Sequence, residues 1–201
     1  MGVRVKMTER LRLTKDEIAR LEAQARVGPL TPPALTLRIT AEDLRPAPPQ
    51  PANAPDLAEL ETLLFGLINS ARQRHLPRWL GNPNLRWHAP AAAVARGHAA
   101  DMLRRQYVDH VSPEGVKVAQ RLARHGIHYL ACGENIGIVY GANSHGAQGI
   151  VDIHNAFMNQ PARLTNHRGN VLNPIWSHVG IGVAYKPGSG LIVTQNFIAL
   201  L

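Results

Sequence analysis

The sequence predicts an α+β domain, and three observations predict it. Apolar residues recur at helical spacing in four stretches between residues 57 and 159. They alternate at strand spacing from Val179 onward, and a proline-rich break near residue 50 sets all of this apart from a leader. The chain has 201 residues, 45% of them hydrophobic, which suits one domain of ordinary size plus a leader of about a quarter of the chain. Disorder throughout and a fibrous repeat are both excluded by that composition.

The leader comes first. Thr14 and Glu17 have capping-box spacing, Ile18, Leu21 and Ala25 follow at helical intervals, and Gly28-Pro29 ends the segment. Leu35, Leu37 and Ile39 alternate with Thr36, Arg38 and Thr40, which predicts a short strand or extended arm. Five prolines between Pro46 and Pro55 favour a semi-rigid extended spacer, so the boundary is placed there: residues 1–55 as leader, 56–201 as the domain. The arm could pair with a partner's sheet edge, making residues 1–55 an attachment device, or fold back on its own domain.

Asp56 and Glu59 restart the helix signal, and Leu57, Leu60, Leu64, Leu67 and Ala71 line one face. Pro90 opens a second helix running to about Arg105, with Val94, His98 and Met102 on its packing face. Val118 to Arg124 reads as a third, stopped by Gly126, and residues 145–159 as a fourth, weakened by Gly146 and Gly149. Val179, Ile181, Val183 and Tyr185 alternate with Gly180, Gly182 and Ala184, giving one bulky and one small face. A turn at 186–190 leads into a second strand, Leu191 to Ile198, apolar on both faces and therefore expected between two layers.

Charge and cysteine exclude more than they assign. The net charge of +8 divides into +3 for residues 1–55 and +5 for the remainder. Without Lys/Arg runs or interleaved aromatics it reads as a basic surface with no specific nucleic-acid partner. No apolar stretch is long enough for a membrane span, and Thr8-Glu9-Arg10 interrupts what would be a signal peptide's apolar region. The single cysteine, Cys132, reads as packing rather than as a nucleophile.

Chemistry concentrates in three segments. His110 is followed by Ser112-Pro113 and Gly115, a turn that fixes the backbone beyond it. Glu134, after Gly133, enters an apolar strand carrying Ile136 and Ile138, where a carboxylate is costly to bury without a partner. The third runs from Asn166-His167-Arg168 through Leu172-Asn173-Pro174 to the Val179-Gly180-Ile181-Gly182 strand.

Together with Asn69-Ser-Ala-Arg72 on the first helix of the domain, these segments resemble in content and order the CAP superfamily: the cysteine-rich secretory, antigen 5 and pathogenesis-related-1 proteins, in their bacterial SCP-like form. The resemblance covers about Asp56 to Phe197 and implies a three-layer α-β-α sandwich with a mostly antiparallel central sheet. It also implies a cleft lined by two histidines, which fall at His110 and His167, and an acid, which falls at Glu134. A second acid, in members that have it, follows an aromatic on the preceding helix; here that stretch is Phe157-Met158-Asn159-Gln160, and Gln160 is neutral. Extracytoplasmic or secreted location is implied as well.

Two functions follow. One is a binding or scaffold module for a lipid, a small ligand or a protein partner. The other is a metal-assisted hydrolase in which His110 and His167 hold zinc or another divalent cation and Glu134 acts as general base. A bland reading stands beside both, in which Glu134 accepts hydrogen bonds from the two imidazoles and merely closes the core.

Overall fold

A computed structural model describes residues 35–36, 54–77, 79, 81–140, 146–187 and 189–200. The expected leader helix, the spacer as far as residue 53, and the arm beyond Thr36 lie outside those residues. The elements in chain order are β1 (Leu35–Thr36), α1 (Leu57–His75), β2 (Arg86–Trp87), α2 (Ala89–Arg105), α3 (Val118–Arg124), β3 (Ala131–Val139), α4 (Ala147–Met158), α5 (His167–Leu172), β4 (His178–Lys186) and β5 (Gly190–Ala199).

One sheet organises them, in the order β1-β3-β5-β4-β2. β5 is antiparallel to both β3 and β4, while the two-residue strands β1 and β2 pair in parallel with β3 and β4 at the two edges. All ten residues of β5 are buried, as its apolar residues on both faces predict. Leu35 and Thr36 pair with Gly137 and Ile138 of the same chain, so at these two residues the arm folds back.

The period of two sorts each strand between layers. Val179, Ile181, Val183, Val193 and Phe197 face α1, α4 and α5, where they pack with Leu64, Ile68, Ile153 and Phe157. On the opposite face, Cys132, Ile198, Ile136 and Ile192 meet α2 and α3. The small face of β4 explains how α2 comes so close: a Cβ on Gly180 would lie 2.2 Å from the Ala92 nitrogen, and one on Gly182 2.1 Å from that of Arg96. The result is the expected α-β-α sandwich. Among the described residues no helix is long and apolar enough to cross a membrane.

Two buried polar clasps tie the layers. Glu61 on α1 receives a bidentate pair of bonds from Arg96 on α2, at 2.7 and 2.5 Å, and accepts from the Val183 amide of β4. Asn69 bonds both the amide and the carbonyl of Leu85, while Arg72 donates to the carbonyls of Pro83, Val171 and Asn173. The Asn-x-x-Arg segment is thus a structural fastener.

Candidate functional site

His110 lies in the connection between α2 and α3, and several bonds fix that connection. Gln106 ends α2 in the left-handed region, with φ 58°. Gly115 takes φ +77° in the Ser-Pro-Glu-Gly turn, its amide bonded to the Ser112 carbonyl. His98, on the buried face of α2, makes a 2.9 Å bond from Nε2 to the Asp109 carbonyl. A carbonyl only accepts, so His98 carries its proton on Nε2. Burial lowers the His98 pKa, which suits a neutral ring.

Glu134 points to the α2/α3 face of β3 and is fully buried. Its Oε1 accepts from His110 Nδ1 at 2.8 Å and its Oε2 from Arg121 of α3 at 2.6 Å. Arg121 also donates to the carbonyls of His110 and Val116, at 3.1 and 2.9 Å, so one guanidinium holds both the carboxylate and the turn that delivers the histidine. Burial by itself would raise the Glu134 pKa. The His110 hydrogen bond and the positive charge of Arg121 outweigh burial and hold the carboxyl below its ordinary range.

His167 opens α5, behind the N-cap Asn166, whose side chain accepts from the Gly169 amide. The ring stacks on Phe157 of α4, with centroids 4.5 Å apart and planes 4° from parallel. Gln160 holds it in place: Oε1 accepts from the His167 amide at 2.9 Å, and ring Nδ1 lies 3.0 Å from Nε2 and 3.3 Å from Oε1 of the same side-chain amide. Asn135, next to Glu134 on β3 and directed to the opposite face, donates to the His167 carbonyl. The structure therefore joins His110 directly to Glu134, and ties His167 to the neighbouring residue of the same strand through its backbone.

The second oxygen of Glu134 is satisfied by Arg121 and not by an imidazole, as the bland reading supposed. Arg121 and His98 were missed as members of this cluster. The cost of burying Glu134 was the signal that a cation must come from somewhere, but nothing local marks an arginine thirteen positions away. Cys132, on the same face, is buried, and burial pushes its thiol up to about 11, consistent with packing. Among the described residues no three His, Cys, Asp or Glu side chains converge to hold a metal ion.

Beside the cluster, a groove of about 620 Å³ runs between α2, α3 and the Ser-Pro turn. Val94, Gly97, His98, Val116, Arg121 and Arg124 are among its lining residues. The lining carboxylates are already paired: Asp101 with Arg104 and Arg105, and Glu114 with Arg105.

Comparison with known proteins places this geometry. YlbC, an uncharacterized membrane protein of Bacillus subtilis, and YkwD, an uncharacterized protein of the same organism, are each 31% identical over 138 residues, or 69% of this chain. Those matches cover 34% and 46% of the two relatives, so the chain spans less than half the length of either. The crystal structure of an extracellular protein containing an SCP domain from Bacillus anthracis is 31% identical, with TM-score 0.57, over 71% of this chain and 41% of that one. An outer surface protein of Borrelia burgdorferi has the same fold at 17% identity, with TM-score 0.59, over 73% of this chain and 96% of its own. Residues 65–197, which hold both halves of the sheet and the Glu134 cluster, match the cysteine-rich secretory protein family, and the chain belongs to this CAP family.

Proposed function

We propose that the chain is a binding module of its family rather than a hydrolase, and that it takes a small ligand with an anionic head in the groove between α2 and α3. The observation that carries this reading is the closure of Glu134. A general base must reach the proton it removes. Glu134 is fully buried, both its oxygens are engaged, and its carboxyl is held ionised by a hydrogen bond and a cation. It behaves as a fastener for the turn.

The groove has the features a ligand needs. Its size falls within the roughly 300–1,000 Å³ usual for small-molecule sites. Val94, Gly97 and Val116 supply apolar wall, and Arg124 is a lining cation with no carboxylate partner among the described residues. Gly97 offers a clean test, because a Cβ there meets nothing within 4 Å. Titrating octanoate and inorganic phosphate should give saturable shifts of the Gly97 and Ser112 amides in NMR spectra. Gly97→Phe, which fills the groove, should abolish them. Shifts that match those of chloride at equal ionic strength, or that survive Gly97→Phe, would refute the reading.

The hydrolase reading has one observation in its favour: His110 Nε2 is buried without a partner among the described residues. Against it stand the guanidinium already beside Glu134 and the lack of a third ligand among the described residues. Metal content of the purified protein, beside a His110→Ala/His167→Ala variant, separates the two readings; stoichiometric zinc lost in the variant would favour the hydrolase.

Location outside the cytoplasm is supported by the extracellular Bacillus anthracis relative. Residues 1–55 are proposed as a leader distinct from the domain at 56–201, which could carry it to a protein partner. Deleting them should weaken a pull-down if they attach the domain, and undiminished retention would remove that role.

A further inference from the structure

We propose that Arg86, His88 and His178 form a binding site for a phosphate-type oxyanion at the β2 edge of the sheet, apart from the groove between α2 and α3. Arg86 and His178 are register partners in the parallel pairing of β2 with β4, so their side chains leave the same face. His88 follows Arg86 by two positions and is still extended, with φ −120° and ψ 98°, so it shares that face. The two imidazoles meet edge to face, with centroids 5.8 Å apart and planes at 85°.

The cluster offers donors and holds no counter-charge. The Ala91 amide donates to His88 Nδ1 at 3.1 Å, and an amide N–H cannot accept. The neutral His88 ring therefore carries its proton on Nε2, which can donate to an anion and has no lone pair for a metal ion. Arg86 is exposed, and its guanidinium makes no ion pair among the described residues. A guanidinium fork matches the oxygens of a phosphate group, which it binds through two parallel hydrogen bonds.

His178 is the member whose charge changes. Its Nδ1 lies 2.9 Å from Ser177 Oγ, which also accepts from the Leu200 amide. Burial lowers the His178 pKa, and the charges of His88 and Arg86 lower it further. Among the described residues those two are the titratable and charged groups that act on it, from the start of α2 and from β2, while β5 presents Ile198 across the register. An anion beside Arg86 would offset the repulsion and favour the protonated ring. By linkage, affinity for the anion rises as pH falls, because binding takes up a proton. A dianion gains from both the fixed and the acquired charge, which favours a phosphate-type group over a carboxylate.

Nitrogen-15 NMR of the imidazoles in the full chain reads the site while inorganic phosphate, O-phosphoethanolamine and sulfate are titrated in turn. Saturable shifts at His88 and His178 are expected, and the tighter of phosphate and its ester names the source of the oxyanion. Arg86→Met, at an exposed position, should weaken binding about tenfold, the scale of a hydrogen bond to a charged group. Sulfate keeps both its charges, so its affinity isolates the protein's proton. That affinity should rise at least about threefold from pH 7.5 to 5.5, and His178→Gln should lose the rise. Gly97→Phe should leave the shifts in place, which separates this site from the groove. Shifts equal to those from chloride at matched ionic strength, unaltered affinity in Arg86→Met, a flat pH profile for sulfate, or loss of the shifts in Gly97→Phe would overturn the proposal, as would stoichiometric zinc held by these two rings.

Discussion

Arg72 is 2% exposed and spends its donors on backbone carbonyls, so its charge is solvated by three dipoles from two separate segments, the loop at Pro83 and the end of α5 at Val171 and Asn173. Desolvation pushes its guanidinium down to about 10, still charged at neutral pH. Arg72→Met would keep the stem and strand those carbonyls in the core, at a cost on the order of 3 kcal/mol in chemical denaturation. A loss well under 1 kcal/mol would show that the carbonyls find water instead. Glu134 presents the complementary case. Glu134→Gln leaves the Arg121 cation, with only 12% of its side chain exposed, facing a neutral amide, and breaking such a pair costs about 3–5 kcal/mol. Adding Arg121→Met should recover part of that loss, because the second change removes the stranded charge. Strictly additive losses would mean that the two side chains do not act as a pair.

Elements were legible where packing is written as a period. The alternation at residues 179–185 announced a strand with a bulky and a small face, and the small face is where α2 lies against the sheet. Gly182→Ala would force a Cβ into the α2 backbone, so it should cost about 3 kcal/mol or more, whereas Gly97→Ala, in open space on the same helix, should gain about 1 kcal/mol. Thermal melts of the two variants should move in opposite directions; two shifts of the same sign would disprove this account of the contact. Less was legible where geometry depends on distant partners. The six residues of α5 carry Gly169 and no apolar stripe, so the helix bearing His167 gave little periodic signal. Gln160 was visible only as a missing acid, since its bonds to the His167 amide and ring depend on how the end of α4 meets the start of α5. His110 and Glu134 were found through their motifs, while Arg121 required the three-dimensional fold.

Across the molecule, burial sets a common acid sensitivity. Desolvation is the leading cause of lowered pKa values at His88, His98, His154 and His178, and it takes His154 to about 4. Each ring is neutral in the fold and takes up a proton more readily once unfolded, so the unfolded chain binds more protons as pH falls. The stability due to these rings is present above the ordinary histidine value of about 6.5 and is lost as pH drops below it. For His154 that loss continues to about 4. His154 is 3% exposed on α4, its Nδ1 has no partner among the described residues, and the charge of Arg74 adds to the effect of burial. The shift corresponds to at most about 3 kcal/mol. His88 adds a local consequence: its Nδ1 accepts from the Ala91 amide as the N-cap of α2, and a proton there would remove the acceptor and place positive charge at a helix N-terminus. Glu134 follows at lower pH, since its depressed pKa gives stability that is present above the usual carboxylate range and lost as pH falls through its folded value. Stability measured in urea should therefore decline from pH 6.5 toward 4, and His154→Leu should flatten that decline more than a change at exposed His125. An unchanged slope in His154→Leu would show that this ring is not protonated on unfolding, and would assign the acid sensitivity to the remaining histidines and Glu134.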